Sequence, residues 1–154
     1  MFQEVNYVSA EKALSVIQSN QKVFIHGSAC TPLYMLRELA KQKDRLNNVE
    51  LISITLLGDI EINEPEYFER FHINSLFVSE PVRAAVNEGR ADFIPVFLSD
   101  IPDLFKKNII EIDVAIVQVS PPDEHGYCSL GVSVDVARSA VNCAKQIIAQ
   151  VNPQ

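Results

Sequence analysis

Short apolar runs of strand length alternate along the chain with segments whose apolar residues recur every three or four positions, the pattern of strands separated by helices. After an extended start, Ser9 is placed as the cap of a first helix carrying Ala13, Leu14 and Ile17 inward, with Asn20 as its stop. Lys22 to Gly27 reads as a strand. Thr31 as cap and Pro32 as first helical residue open a second helix, whose buried face is Leu33, Leu36, Leu39 and Ala40. Val49 to Ile54 is the next strand, extending toward Asp59. Pro65 to Phe71 is predicted as a short helix with Tyr67, Phe68 and Phe71 in the core, and Ile73 to Val78 as a strand. Ser79, Glu80 and Pro81 cap a helix over Val82 to Glu88 that Gly89 ends. Asp92 to Phe97 is extended, and Pro95 keeps it from a central ladder position. Ser99 or Asp100, followed by Pro102, starts a helix through Leu104, Phe105 and Lys107.

The stretch Asp113 to Asp135 organises the rest. Val114 to Val119 is an apolar strand that breaks at Ser120-Pro121-Pro122 into the polar loop Asp123-Glu124-His125-Gly126. A second apolar piece, Tyr127 to Val134, follows. A helix over Asp135 to Ala144 then turns Val136, Ala140, Val141 and Ala144 inward, and Lys145 to Val151 is a final buried strand. Strands alternating with helices predict an α/β fold: an open, mostly parallel sheet with helices on both faces. In such sheets the chemistry sits on loops at the carboxyl edge. A chain that stops at Gln154, directly after a strand wanting neighbours and cover, reads as a fragment or one part of a cleaved or multichain protein.

Composition narrows the function. With 47% apolar and 21% charged residues, a chain of this length builds one domain with a real core. The net charge of −7 opposes nucleic-acid binding, though a small anion still finds a helix start or local basic patch. Cys30, Cys128 and Cys143 are an odd, widely spaced set, which points to a reducing, cytoplasmic setting. Neither a signal peptide nor a stretch of membrane-spanning length is visible.

The loop Gly27-Ser28-Ala29-Cys30-Thr31-Pro32 joins a strand to a helix start, where free backbone N–H groups hold an anion or a thioester oxygen. It also fits plain turn geometry. Neither GxGxxG nor a P-loop is present. His26, His72 and His125 lack metal-ligand spacing, so no metal site is expected. His125 stands beside Asp123 and Glu124 in the proline-braced loop, where a carboxylate orients an imidazole or a polar substrate; the same run also fits a solvent-facing turn. Glu80 at a helix start reads as a cap, and Cys128 beside Tyr127 as a core residue. Cys30 near a helix start lacks an identifiable general base, and without a GxSxG elbow an ordinary serine hydrolase has no support.

Two long stretches carry a resemblance. Ser79 to Pro102 (SEPVRAAVNEGRADFIPVFLSDIP) and Gln118 to Gly131 (QVSPPDEHGYCSLG), continued by Ile148 to Gln154, resemble the N-terminal part of the acetyl-CoA hydrolase/transferase family. The nearest subgroup is that of the 4-hydroxybutyrate, acetate or butyrate CoA-transferases. The resemblance covers nearly the whole chain. It implies a CoA-transferase fold of two related open α/β domains that moves CoA between an acyl-CoA and a small carboxylate through a glutamyl-CoA intermediate. It implies no tightly bound cofactor, with CoA thioesters and small carboxylic acids as substrates. The partner would be the C-terminal half, from the same protein or a companion chain, within a homo-oligomer. The family's nucleophilic glutamate lies in that half, so neither Glu80 nor Glu124 takes its place and this chain alone is expected to be inactive. Its own contributions would be the Gly27–Pro32 loop beside the reacting carbonyl and the Pro121, Pro122, Asp123, Glu124, His125, Gly126 loop shaping the cleft. An acyl-CoA hydrolase of the same family, or a binding module without chemistry, are the alternatives.

Overall fold

The computed structural model describes residues 7–153, so the expected extended start over residues 1–6 lies outside the described residues. Six strands form one sheet in which every pairing is parallel: β1 (Lys22–Ile25), β2 (Val49–Ser53), β3 (Phe71–Ser75), β4 (Ala91–Phe93), β5 (Val114–Val119) and β6 (Gln146–Val151). Their order across the sheet is β4-β3-β2-β1-β5-β6. The chain therefore works outward from β1 in one direction, then crosses back to lay β5 on its other side. That reversal makes the β1/β5 boundary the topological switch point, where the loops leaving neighbouring strands splay apart.

Strand alternation sorts the core into two layers. Val23 and Ile25 of β1, Leu51 of β2, Ile73 of β3 and Ile116 of β5 face one side, under α1 (Ala10–Leu14), α2 (Leu33–Ala40) and α3 (Glu80–Asn87). Phe24, Ile52 and Ala115 face the other, under α4 (Ile101–Lys106) and α5 (Ala137–Cys143). Phe24 meets Phe105 of α4 edge to face, their ring centroids 6.0 Å apart. Each fully buried side chain of this kind contributes about 1.5–3 kcal/mol. Helices on both faces of an open parallel sheet are what the alternation predicts.

Several local expectations are corrected. The first helix stops at Leu14, well before Asn20, because the Ser15 hydroxyl bonds back to the Lys12 carbonyl and the chain turns toward β1; Ile17 is still buried. Pro32, not Thr31, caps α2. The Thr31 hydroxyl instead donates to the Ser28 carbonyl at 2.7 Å and accepts from Leu57 N–H at 3.1 Å. Pro65–Tyr67 is a single 3-10 turn, and Phe71 opens β3 instead of closing a helix. Phe68 is exposed, whereas Tyr67 and Phe71 are buried. The Ser79 hydroxyl accepts from Leu56 N–H, joining the start of α3 to the end of β2. The piece from Tyr127 to Val134 is irregular, and Tyr127, Cys128 and Val132 are exposed, so Cys128 is not a core residue. Its apolar side chains have no ladder to alternate against. The final strand β6 has one neighbour among the described residues, and its Ile147 is 51% exposed, so it is an edge and not a buried strand.

The amino ends of three strands are tied by one carboxylate. Asp113 accepts from Lys22 N–H at 2.9 Å and from Lys145 Nζ at 2.8 Å. Burial acts to raise its pKa, but the Lys145 ammonium and the Lys22 amide outweigh it and hold the carboxyl below its usual range.

Candidate cleft at the switch point

The loop after β1 and the chain returning from β5 meet at the carboxyl edge, where the switch point opens. His26, buried directly after β1, is the pivot. Gln118 N–H donates to its Nδ1 at 3.2 Å, which leaves Nε2 carrying the proton, and Nε2–H donates to the Ser133 carbonyl at 2.8 Å. One neutral imidazole thus ties β1 to β5 and to the returning loop. Ala29 N–H donates to Ser133 Oγ at 3.3 Å, and the Cys30 thiol donates to the Leu130 carbonyl at 3.5 Å. The Ser28 hydroxyl is 2.6 Å from Thr55 Oγ1, just past β2, and donates to Asp135 Oδ2 at 3.4 Å. Loops from three strands are stitched together here.

Close approach explains two glycines. A Cβ on Gly27 would stand 2.8 Å from the Thr55 carbonyl oxygen, so a side chain there would push the β1 loop off the end of β2. Gly131 adopts φ +77°, and its Cβ would meet Cys30 Sγ at 3.0 Å. Ser28 and Asp135 also take positive φ, 53° and 39°, without being glycine. Their shared hydrogen bond accompanies left-handed backbone on both sides of the cleft, a conformation that surrounding structure must hold in place.

Within Gly27–Pro32 the amides are largely committed. Ser28 N–H donates to Thr55, Cys30 N–H to Gly27 and Thr31 N–H to Ser28 carbonyl oxygens, at 2.7, 3.1 and 3.1 Å. Ala29 differs: it is exposed, and its partner is a side-chain hydroxyl at a longer distance. Cys30 and Thr31 are buried, Cys30 with its thiol facing the returning loop.

The loop after β5 divides into two parts with different neighbours. Leu130, Ser133 and Asp135 reach the Gly27–Pro32 loop, as above. Pro121, Pro122 and Gly126 instead border a groove beside β6. Asp123 folds the tip, its Oδ1 accepting from His125 N–H at 2.8 Å and Tyr127 N–H at 2.9 Å. Glu124 and His125 are exposed on that turn, with His125 Nε2 3.5 Å from Glu124 Oε1. Of the other histidines, His72 pairs with Asp92 across β3 and β4 at 2.9 Å. Among the described residues, no group of three or more His, Cys, Asp or Glu is arranged to hold a metal ion. None of their helices is long and apolar enough to cross a membrane.

Thr55, Ser133 and Asp135 join the cleft without any signal in their local pattern, since each needs a neighbour from a distant strand. His26 is the residue with a readable cue: a histidine inside a buried run needs partners for both ring nitrogens. Around the same carboxyl edge, Phe93 ends β4, and Leu57, Phe77, Phe97 and Leu98 follow β2, β3 and β4; all five are exposed, Phe97 at 79%.

Known proteins resemble the chain over nearly its whole length. The chain is 40% identical over 148 residues to a succinyl-CoA:acetate/propanoyl-CoA:succinate CoA transferase of Fasciola hepatica, covering 95% of this chain and 30% of the relative. It is 40% identical over 145 residues to a 4-hydroxybutyrate coenzyme A transferase of Clostridium kluyveri, covering 94% and 34%. The crystal structure of RipA from Yersinia pestis superposes with a TM-score of 0.85 at 27% identity, over 94% of this chain and 36% of that one. That of a 4-hydroxybutyrate CoA-transferase from Porphyromonas gingivalis gives 0.79 at 28%, over 96% and 33%. The chain thus spans about a third of the length of these relatives. The family model of the acetyl-CoA hydrolase/transferase N-terminal domain matches residues 3–154, and the chain belongs to that family.

Proposed function

We propose that this chain is the N-terminal wall of an enzyme that transfers CoA between an acyl-CoA and a small carboxylate by way of a glutamyl-CoA thioester. The observation that carries the reading is the junction of the Gly27–Pro32 loop with Leu130, Ser133 and Asp135 at the β1/β5 switch point, in a chain whose relatives are named CoA transferases. The reacting glutamate belongs to the portion of the relatives that this chain does not span. Its carboxylate attacks the acyl carbonyl and expels the CoA thiolate, giving a mixed anhydride; the thiolate then attacks the glutamyl carbonyl and expels the first acid as its carboxylate, and a second carboxylate runs the same two steps in reverse.

This chain's residues position and shield. Negative charge grows on the thioester oxygen as the carbonyl is attacked, and a backbone donor aimed there stabilises it. Ala29 N–H is the donor for that role, because a change of the Ser133 side-chain rotamer withdraws its Oγ acceptor while the neighbouring amides stay bonded. The apolar rim of Phe77, Phe97 and Leu98 receives the second domain and excludes water, which keeps the glutamyl thioester for the acid instead of hydrolysis.

The test is exchange of CoA from acetyl-CoA to butyrate, 4-hydroxybutyrate or succinate, by this chain joined to the remainder of the polypeptide and with the Ala29→Pro variant beside it. Exchange by the joined protein and a fall of roughly 100-fold in Ala29→Pro are expected. Release of free CoA without an acceptor acid would assign water as the acceptor and overturn the transferase reading.

A further inference from the structure

The Gly27–Pro32 loop is hydrogen-bonded to five residues from elsewhere in the chain: Thr55, Leu57, Leu130, Ser133 and Asp135. Asp135 alone among them is charged. It is exposed, so burial in the core does not explain it, and the Ser28 hydroxyl is the one hydrogen-bond partner of its carboxylate among the described residues. Arg138, three residues further on in α5, makes no ion pair with it. A carboxylate only accepts, so the Ser28 proton goes to Asp135 Oδ2, and the Thr55 hydroxyl, 2.6 Å away, donates in turn to Ser28. This chain of hydroxyls engages one oxygen of Asp135 and leaves Oδ1 unbonded at the cleft. Ser28 precedes Ala29, and Ser133, two residues before Asp135, accepts from Ala29 N–H. The carboxylate is thereby tied to both neighbours of that amide. Ser28 and Asp135 hold it there with left-handed backbone, at φ 53° and 39°, of the kind that gathers at functional sites.

We propose that Asp135 is a specificity-determining residue of the acyl site, and that it admits monocarboxylic acids with uncharged tails over dicarboxylic acids. This rests on the reading of Ala29 N–H as the donor to the thioester oxygen, and it names the class of acid that site takes. The reacting carboxyl group is common to every substrate, so only the tail distinguishes them. A second carboxylate on the tail meets the charge of Asp135, and the loop offers it no lysine or arginine in exchange. Two like charges about 6 Å apart, at effective dielectric constants of about 80 to 20, disfavour such an acid roughly 3-fold to 100-fold. An uncharged tail meets no such repulsion, and a hydroxyl on it finds Oδ1 as an acceptor.

The experiment follows consumption of butyryl-CoA, 4-hydroxybutyryl-CoA and succinyl-CoA by the joined polypeptide in the presence of acetate, with kcat/KM taken for each thioester. Asp135→Asn accompanies the parent. It keeps the size of the side chain and an acceptor for Ser28, and asparagine tolerates left-handed backbone. Melting of the variant confirms the fold. The parent is expected to favour butyryl-CoA and 4-hydroxybutyryl-CoA over succinyl-CoA by about 10-fold, and Asp135→Asn to remove most of that preference. Raising the salt concentration narrows the preference in the parent and leaves the variant's ratio in place, because salt screens the repulsion and CoA itself is common to all three thioesters. A parent that takes succinyl-CoA as well as butyryl-CoA would overturn the proposal. So would an Asp135→Asn variant that loses all three thioesters alike, the result of a merely structural role. A salt response equal in parent and variant would overturn it too. Thioester loss is counted whether the CoA passes to acetate or is freed by water, so the ratio tests Asp135 while the fate of the CoA separately tests the transferase reading.

Discussion

His26 donates its Nε2 proton to the Ser133 carbonyl across 2.8 Å, while its Nδ1 accepts from Gln118 N–H on β5. A buried side chain near the carboxyl end of one strand thereby sets the height of the loop returning from another. Substitution by Leu keeps the bulk but leaves a buried amide and a carbonyl unpaired. His26→Leu is expected to lose about 2–4 kcal/mol, and His26→Gln less, because its amide offers both a donor and an acceptor. Urea unfolding of the two variants measures the difference; equal losses would show that bulk, not the two hydrogen bonds, is what matters.

Asp113 predicts a pH dependence. Its folded pKa lies below the unfolded value, so its contribution to stability is complete above the ordinary carboxylate range and is lost as pH falls through the folded value. Asp113→Asn is expected to cost about 1–2 kcal/mol at neutral pH and progressively less in acid, as the parent protein loses the same interaction. Unfolding of parent and variant at neutral pH and at about pH 3 tests this. A difference that stays constant across that interval contradicts it.

Gly27→Ala puts a methyl group 2.8 Å from the Thr55 carbonyl oxygen, closer than real contacts allow. Because the obstacle is backbone, the β1 loop must shift. A loss of roughly 1–3 kcal/mol is expected, with faster exchange at Ser28, whose amide is bonded to that same oxygen. A stability equal to the parent's would mean that the β2 end yields freely and does not position the loop.

The tip of the loop after β5 separates two neighbouring residues. Asp123→Ala removes the acceptor for two backbone amides and is expected to cost about 1 kcal/mol and loosen residues 123–127. His125→Ala, at an exposed position, stays within about 0.5 kcal/mol of the parent. Thermal melting of both variants decides; the reverse order would give His125 a structural role that its exposure argues against.

The strands were legible because buried parallel strands leave continuous apolar runs, as in Val114–Val119, and the helices on both sheet faces follow from alternation with them. Their order was not. That β5 crosses back beside β1 depends on which faces pair in three dimensions, and that adjacency brings Ser133 to His26. The Gly27–Pro32 loop was readable as a strand-to-helix junction, but the commitment of its amides to Thr55 and Ser133 was not, since both partners lie far along the chain. Tyr127 to Val134 misled for a different reason. Apolar composition alone signals burial only when there is an element to pair or pack with, and this stretch is an irregular return with Tyr127 and Val132 in the open.

We propose that the reacting carboxylate comes from outside residues 1–154. Incubate the joined polypeptide with acyl-CoA, stabilise the thioester adduct by reduction or amidation, and map the modified peptide by mass spectrometry. The expected result is an adduct on a glutamate outside residues 1–154, with Glu80 and Glu124 unmodified. An adduct on either of those two, or on any other carboxylate of this chain, would contradict it.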